Sequence, residues 1–168
     1  MSMGDSIILI GMPGAGKSTI GVVLAKTLGM DFLDSDLVIC RRTGEPLQKT
    51  LDRIGQRAFL ELEEDVVCGL TLRRTVLATG GSVPLREKAM EHLQKQGRVV
   101  YLEVSFAELE RRLSNITTRG IAFGPGEDLR SLMDHRTPLY RRWADLTVSA
   151  EPGQDLEAMV TKLVETLK

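Results

Sequence analysis

The chain of 168 residues predicts a three-layer α/β fold, with helices on both faces of a parallel sheet. Three observations carry this expectation. Short apolar runs rich in β-forming residues alternate with longer helical patterns, the first run feeds straight into a glycine-rich loop, and an amphipathic segment closes the chain. The runs fall at residues 7–10, 32–33, 76–78, 99–102 and 146–148. Strands separated by helices pair in parallel, because each crossover returns the chain to the same edge of the sheet.

The first run, Ile7-Ile8-Leu9-Ile10, reads as the opening strand and the centre of the sheet. Behind it, Gly11-Met12-Pro13-Gly14-Ala15-Gly16-Lys17-Ser18-Thr19 fits the phosphate-binding pattern G-x-x-x-x-G-K-[ST] in the strand-to-helix context which that pattern requires. Glycines let the backbone turn tightly and aim N–H groups at phosphate oxygens, Lys17 adds a positive charge, and Ser18 offers a hydroxyl to Mg²⁺. Residues 19–28 read as the next helix, with Ile20, Val23, Leu24 and Leu28 on one face, and its N-terminus adds partial positive charge. A plain glycine-rich turn leaves Lys17 unexplained. Gly14, Ala15, Gly16, Lys17, Ser18 and Thr19 are therefore the candidate triphosphate site.

After the second run come Asp34, Ser35 and Asp36. Alternation along a strand end points Asp34 and Asp36 the same way at the carboxyl edge of the sheet, where ligands of such folds bind, one for Mg²⁺ and one for a substrate hydroxyl. The same tripeptide also fits a helix N-cap. Residues 38–72 have helical spacing, with Ile54, Phe59, Leu62, Val66 and Leu70 in one stripe, so more than one helix lies between the second and third strands. A binding segment of about residues 36–72 fits there. The third run ends in Thr79-Gly80-Gly81-Ser82, where paired glycines permit close backbone approach to a ligand, although a plain turn explains them equally well.

Residues 115–126 contain Gly120, Gly124, Pro125 and Gly126, a composition suited to a mobile lid. Arg111, Arg112, Arg119, Arg136, Arg141 and Arg142 surround it; each taken alone reads as a solvated arginine, and as a group they suit a phosphate clamp. Residues 156–167 place Leu156, Met159, Val160, Leu163 and Leu167 on one helical face.

Lysine plus arginine number 22 against 23 acidic residues, so the net charge of −1 gives no reason to expect nucleic acid or a membrane surface as partner. Cys40 and Cys68 form no C-x-x-C or Cys/His cluster, which predicts buried reduced thiols and fits the cytoplasm. No basic or long apolar leader precedes residue 7, and no window approaches about 18 consecutive apolar residues. His92 is expected to face solvent, His135 to be a surface or structural histidine, and Tyr140 and Trp143 to pack against the sheet. No linker or repeat divides the chain, so residues 1–168 are expected to form one domain, acting as a monomer on a small-molecule hydroxyl acceptor.

In order and spacing the chain resembles the shikimate kinase family, small phosphate-loop kinases related in fold to nucleoside monophosphate kinases. The resemblance rests on residues 11–19, on Phe32-Leu33-Asp34-Ser35-Asp36, on Gly55 with Phe59 and Glu63, on Thr79-Gly80-Gly81, and on Arg136-Thr137-Pro138-Leu139-Tyr140 followed by Ala144-Asp145. It implies strand order 2-3-1-4-5 and transfer of the γ-phosphoryl group of ATP to a hydroxyl, with the lid excluding water. It further implies that Lys17 contacts the transferring phosphate, that Ser18 and Asp34 surround Mg²⁺, and that Asp36 meets the acceptor hydroxyl as its base. Gly80 and Gly81 would line the acceptor pocket, Arg136 would meet its carboxylate, Arg112 would lie by the adenine, and Arg119 would close from the lid onto the phosphates.

The chain departs from the family pattern on the acceptor side. The family carries Phe-Arg, whose arginine grips shikimate's carboxylate, where this chain has Phe59-Leu60; its third glycine is Ser82; and its lid Arg-Pro-Leu-Leu is Arg119-Gly120-Ile121-Ala122. Arg57, three residues before Leu60 on the same expected helix, is the candidate replacement cation. Shikimate is the expected acceptor. The alternatives are another small hydroxy acid, a hydroxy amino acid such as homoserine, or a polyol; then a nucleoside monophosphate; then a nucleotide-binding regulatory module without catalysis.

Overall fold

The computed structural model describes residues 4–113 and 128–168. The expected lid, including Arg119, lies outside them. Five strands, β1 (Ser6–Ile10), β2 (Asp31–Asp34), β3 (Thr75–Ala78), β4 (Gly97–Glu103) and β5 (Leu146–Ser149), form one sheet in the order β2-β3-β1-β4-β5. Every pairing is parallel, with Ile8 opposite Leu77 on one side and Val99 on the other. The helices are α1 (Lys17–Leu28), α2 (Ser35–Thr43), α3 (Leu47–Cys68), α4 (Glu87–Gln94), α5 (Phe106–Leu113), α6 (Leu129–Trp143) and α7 (Leu156–Leu167), with a single 3-10 turn at Val83–Leu85. The expected fold and strand order are those observed.

Side chains alternate across a strand, so each central strand feeds two cores. Ile7, Leu9, Val76, Val100 and Leu102 pack with Ile20 and Leu24 of α1 and Met159, Val160 and Leu163 of α7. Ile8, Ile10, Leu77, Val99 and Tyr101 pack on the opposite face with Met90 and Leu93 of α4 and with Leu132, Tyr140 and Trp143 of α6. Tyr140 and Trp143 thus sit in the core, as their apolar bodies require.

Helix ends follow local chemistry. Asp155 caps α7 by accepting from the Ala158 N–H, and Asp128 and Ser131 form a reciprocal capping box on α6. α3 is two helical pieces joined at Gly55, whose φ of 83° interrupts the spiral and lets the second piece, with Phe59, Glu63 and Val66 buried, turn onto the sheet.

Four details correct the sequence reading. α1 begins at Lys17 rather than Thr19, because the phosphate loop flows into it with no intervening cap side chain. Leu156 is exposed at the first position of α7, whose buried face is carried by Met159, Val160 and Leu163. His92 is half-buried, its Nε2 2.7 Å from the Leu70 carbonyl oxygen and 2.8 Å from Gln96 Nε2, so it ties α4 to the end of α3. Cys40 and Cys68 are free but only half-buried, with burial raising both thiol pKa values above the ordinary range.

Candidate active site

The carboxyl ends of β1, β2 and β3 open into one cleft of about 370 Å³. This is the place where parallel α/β sheets bind ligands, because loops leaving neighbouring strands diverge to opposite faces there.

Its first wall is the loop between β1 and α1. Gly14 and Gly16 hold φ values of 86° and 90°, conformations that a Cβ would disfavour, and Gly16 directly precedes the first turn of α1. Free N–H groups of that turn and the helix dipole make the loop an anion site. Lys17 is buried, with Nζ donating to the carbonyls of Gly11 at 2.7 Å and Met12 at 2.8 Å. The ammonium is thereby held at the loop rather than in solvent. Ser18 donates to Asp34 Oδ2, and Asp34 Oδ1 accepts the Asp36 N–H at 2.8 Å. The N-cap reading of Asp34 is the one observed, and the same carboxylate also accepts from the phosphate-loop serine.

Arg112 reaches this loop from α5, donating from Nη1 to the Gly14 carbonyl at 2.9 Å and from Nε to Glu108 at 2.9 Å. Glu108 also pairs with Arg111, and the two guanidiniums, Arg111 foremost, hold its carboxyl down to about pKa 2. Arg112 lines a smaller adjoining cleft with Gly16, Thr19, Gln154 and Leu156. Arg111, Arg141 and Arg142 are solvated arginines paired with surface carboxylates.

The second wall is built from separated elements. Asp36 is not the strand residue that alternation suggested; it lies in the first turn of α2, one residue beyond the start of the helix. It still reaches the cleft, because α2 leaves the sheet at its carboxyl edge. Gly80 is where the carboxylates converge: a Cβ there would stand 2.5 Å from Glu63 Oε2 and 2.7 Å from Asp36 Oδ1. Only glycine permits that approach. A Cβ on Gly81 would strike the Pro13 ring at 2.8 Å and come within 3.2 Å of Arg136 Nη1.

This glycine pair is strapped in place. Thr79 Oγ1 donates to the Leu9 carbonyl at 2.8 Å, Ser35 Oγ accepts the Gly80 N–H at 3.0 Å, and the Tyr140 hydroxyl donates to the Gly81 carbonyl at 2.7 Å. Arg136 enters from α6, where it is 2 % exposed. Glu63 is buried, and desolvation, reinforced by Asp36, raises its pKa to about 7 against the lowering pull of Ser82, Arg136 and Lys17. Ser82 Oγ donates to Glu63 Oε1 at 2.5 Å.

The cleft therefore gathers Gly14, Gly16, Lys17, Ser18 and Thr19 with Asp36, Gly80, Gly81, Ser82 and Arg136. Ala15 is buried beneath the loop. Arg57 and Leu60 do not line it. The Arg57 side chain is 95 % exposed and turns toward Glu61, 3.6 Å away, because its helical position faces solvent. Sequence reasoning singled out neither Glu63 nor Glu108 as a site residue. Glu63 carried one signal, an acidic residue four positions after Phe59 on the apolar stripe of its helix, where an unpaired charge is costly.

A phosphate loop facing a pocket with carboxylates and a buried arginine defines a nucleotide-dependent small-molecule kinase. Relatives agree in sequence and in shape. A shikimate kinase family model matches residues 13–168. The shikimate kinase of Paracidovorax citrulli is 42% identical over 97% of this chain and 92% of its own, and that of Mycobacterium avium is 41% identical over 98% and 96%. The solved Acinetobacter baumannii shikimate kinase in complex with shikimate superposes with a TM-score of 0.87 at 34% identity, over 96% of this chain and 92% of that one. The chain belongs to the shikimate kinase family, and it is an ATP-dependent kinase that phosphorylates a hydroxyl group.

Proposed function

We propose that the acceptor is shikimate, phosphorylated by Mg-ATP. The observation that carries this reading is the joining of the phosphate loop and a built acceptor wall in one cleft, with Asp36 between them. Lys17 exchanges its loop carbonyls for β- and γ-phosphate oxygens and neutralises their charge. Ser18 and Asp34 offer an all-oxygen donor set suited to Mg²⁺, which keeps several waters and needs few protein ligands. Among the described residues no group of three or more His, Cys, Asp or Glu forms a denser metal site. When bound, the ion would supply charge neutralisation at the phosphates.

The Asp36 carboxylate accepts the acceptor's hydroxyl proton as that oxygen bonds to the γ-phosphorus and the bond to the bridging oxygen of ADP breaks. Arg136 pairs with the acceptor carboxylate, Gly80 and Gly81 form the pocket floor, Arg112 lies beside the adenine, and Arg119 acts from the lid. The reading takes the enzyme as a monomer acting on a small molecule. No helix among the described residues is long and apolar enough to cross a membrane.

One observation favours a second reading. With Leu60 at the arginine position and Arg57 directed to solvent, Lys17 and Arg136 are the cations among the described lining residues. That favours a different hydroxy acid, a hydroxy amino acid or a polyol. A coupled ADP-release assay with Mg-ATP against shikimate, quinate, homoserine, gluconate and nucleoside monophosphates tests both. Efficient turnover of shikimate is expected. Turnover of another acceptor with little of shikimate overturns the first reading and establishes the second, and silence across the panel overturns both.

A further inference from the structure

The acceptor wall holds a carboxyl group that the transfer step does not use. Glu63 comes from α3, is 1 % exposed, and turns one oxygen toward the position a Gly80 side chain would fill, where Asp36 also points. Its other oxygen accepts from Ser82, itself 5 % exposed, on the turn that follows the glycine pair. A buried carboxyl group swings between rotamers unless something holds it, and a hydrogen bond to a charged group is among the stronger ones a side chain makes.

We propose that Ser82 is a positioning residue for the acceptor, its hydroxyl holding Glu63 so that Glu63 and Asp36 face the acceptor side by side. The proposal rests on the phosphotransfer reading of this cleft and deepens it.

The groups facing Glu63 are Asp36 from α2, Lys17 from α1, Arg136 and Tyr140 from α6, and the Ser82 hydroxyl. On its own helix, Glu64 is turned to Arg86 at 3.1 Å. Because the folded state raises this carboxyl group from 4.5 to about 7, the stability it contributes is greatest below 4.5 and is lost as pH rises through about 7. The Ser82 hydrogen bond opposes that rise, so removing it moves the loss to higher pH.

The test compares Ser82→Ala, Glu63→Met and the double variant with the unaltered protein in two readouts. The first is thermal stability from pH 4 to 9 without ligand, taken as the difference from Glu63→Met at each pH. The second is KM for shikimate and for ATP. Ser82→Ala is expected to move the midpoint of the pH-dependent loss upward, to raise acceptor KM about tenfold, and to leave ATP KM within about twofold. In the Glu63→Met background Ser82→Ala is expected to change neither acceptor KM nor the pH profile. An unmoved midpoint, or an acceptor KM that rises equally with and without Glu63, overturns the proposal. Should shikimate not be turned over at all, the functional reading fails on its own, and the ligand-free pH profile still decides whether Ser82 holds Glu63.

Discussion

The two halves of the cleft are built by opposite means. The nucleotide half is one contiguous stretch, residues 11–19, in which backbone N–H groups, a helix terminus and one lysine supply the recognition, and Arg112 adds a single long-range bond to Gly14. The acceptor half is assembled from Asp36 on α2, Glu63 on α3, Gly80 and Ser82 after β3, and Arg136 on α6. A site made of backbone tolerates little variation and binds the same phosphates wherever it occurs. A site made of side chains from separate elements can change its ligand one residue at a time. The contrast teaches that reaction class and acceptor identity are stored in different parts of the molecule.

That division is broken or sharpened by substitutions on either side. The largest effect is expected from Lys17→Met, which removes the charge at the transferring phosphate and should lower kcat about 1,000-fold with every acceptor. ADP release at saturating substrates checks it, and a loss confined to one acceptor would break the division. Next is Arg136→Lys, which keeps the charge but not the planar fork. Acceptor KM is expected to rise about tenfold or more while ATP KM stays within about twofold.

Gly80→Ala should follow. Its Cβ would displace the Asp36 and Glu63 carboxylates from 2.7 and 2.5 Å, so kcat/KM for the acceptor is expected to fall about tenfold, with ATP affinity by calorimetry unchanged. The smallest effects belong to the exposed charges. Glu108→Gln loosens Arg112 and should raise ATP KM about twofold without touching acceptor KM. Arg57→Ala, removing a side chain that faces solvent, should leave both constants within about twofold; a large rise in acceptor KM would show that Arg57 turns into the cleft on binding.

How much of this was legible in the sequence follows the same contrast. The inner strands β1, β3 and β4 were readable because each carries an apolar run buried on both faces, and the triphosphate site because its residues are neighbours in the chain. Asp36 was identified for a reason that fails, strand alternation, since β2 ends at Asp34 and α2 already begins at Ser35. Glu63 was named as part of the resemblance but given no role, because its place in the site depends on Ser82 and Asp36, which reach it only after α3 kinks at Gly55 and folds onto the sheet. The orientation of Arg57 could not be read either. A shift of three positions along a helix leaves about 60° of ambiguity around its axis, and the direction of the whole element decides whether such a residue lines a pocket or faces water.

The claim at the centre is that Asp36 joins the two halves, serving the acceptor hydroxyl while taking no part in holding the nucleotide. Asp36→Asn keeps the size of the side chain and removes its basicity. With shikimate and Mg-ATP, turnover is expected to fall about 100-fold or more, with ATP affinity by calorimetry within about twofold of the unaltered protein. Turnover near the unaltered rate, or ATP affinity lost together with turnover, would contradict it.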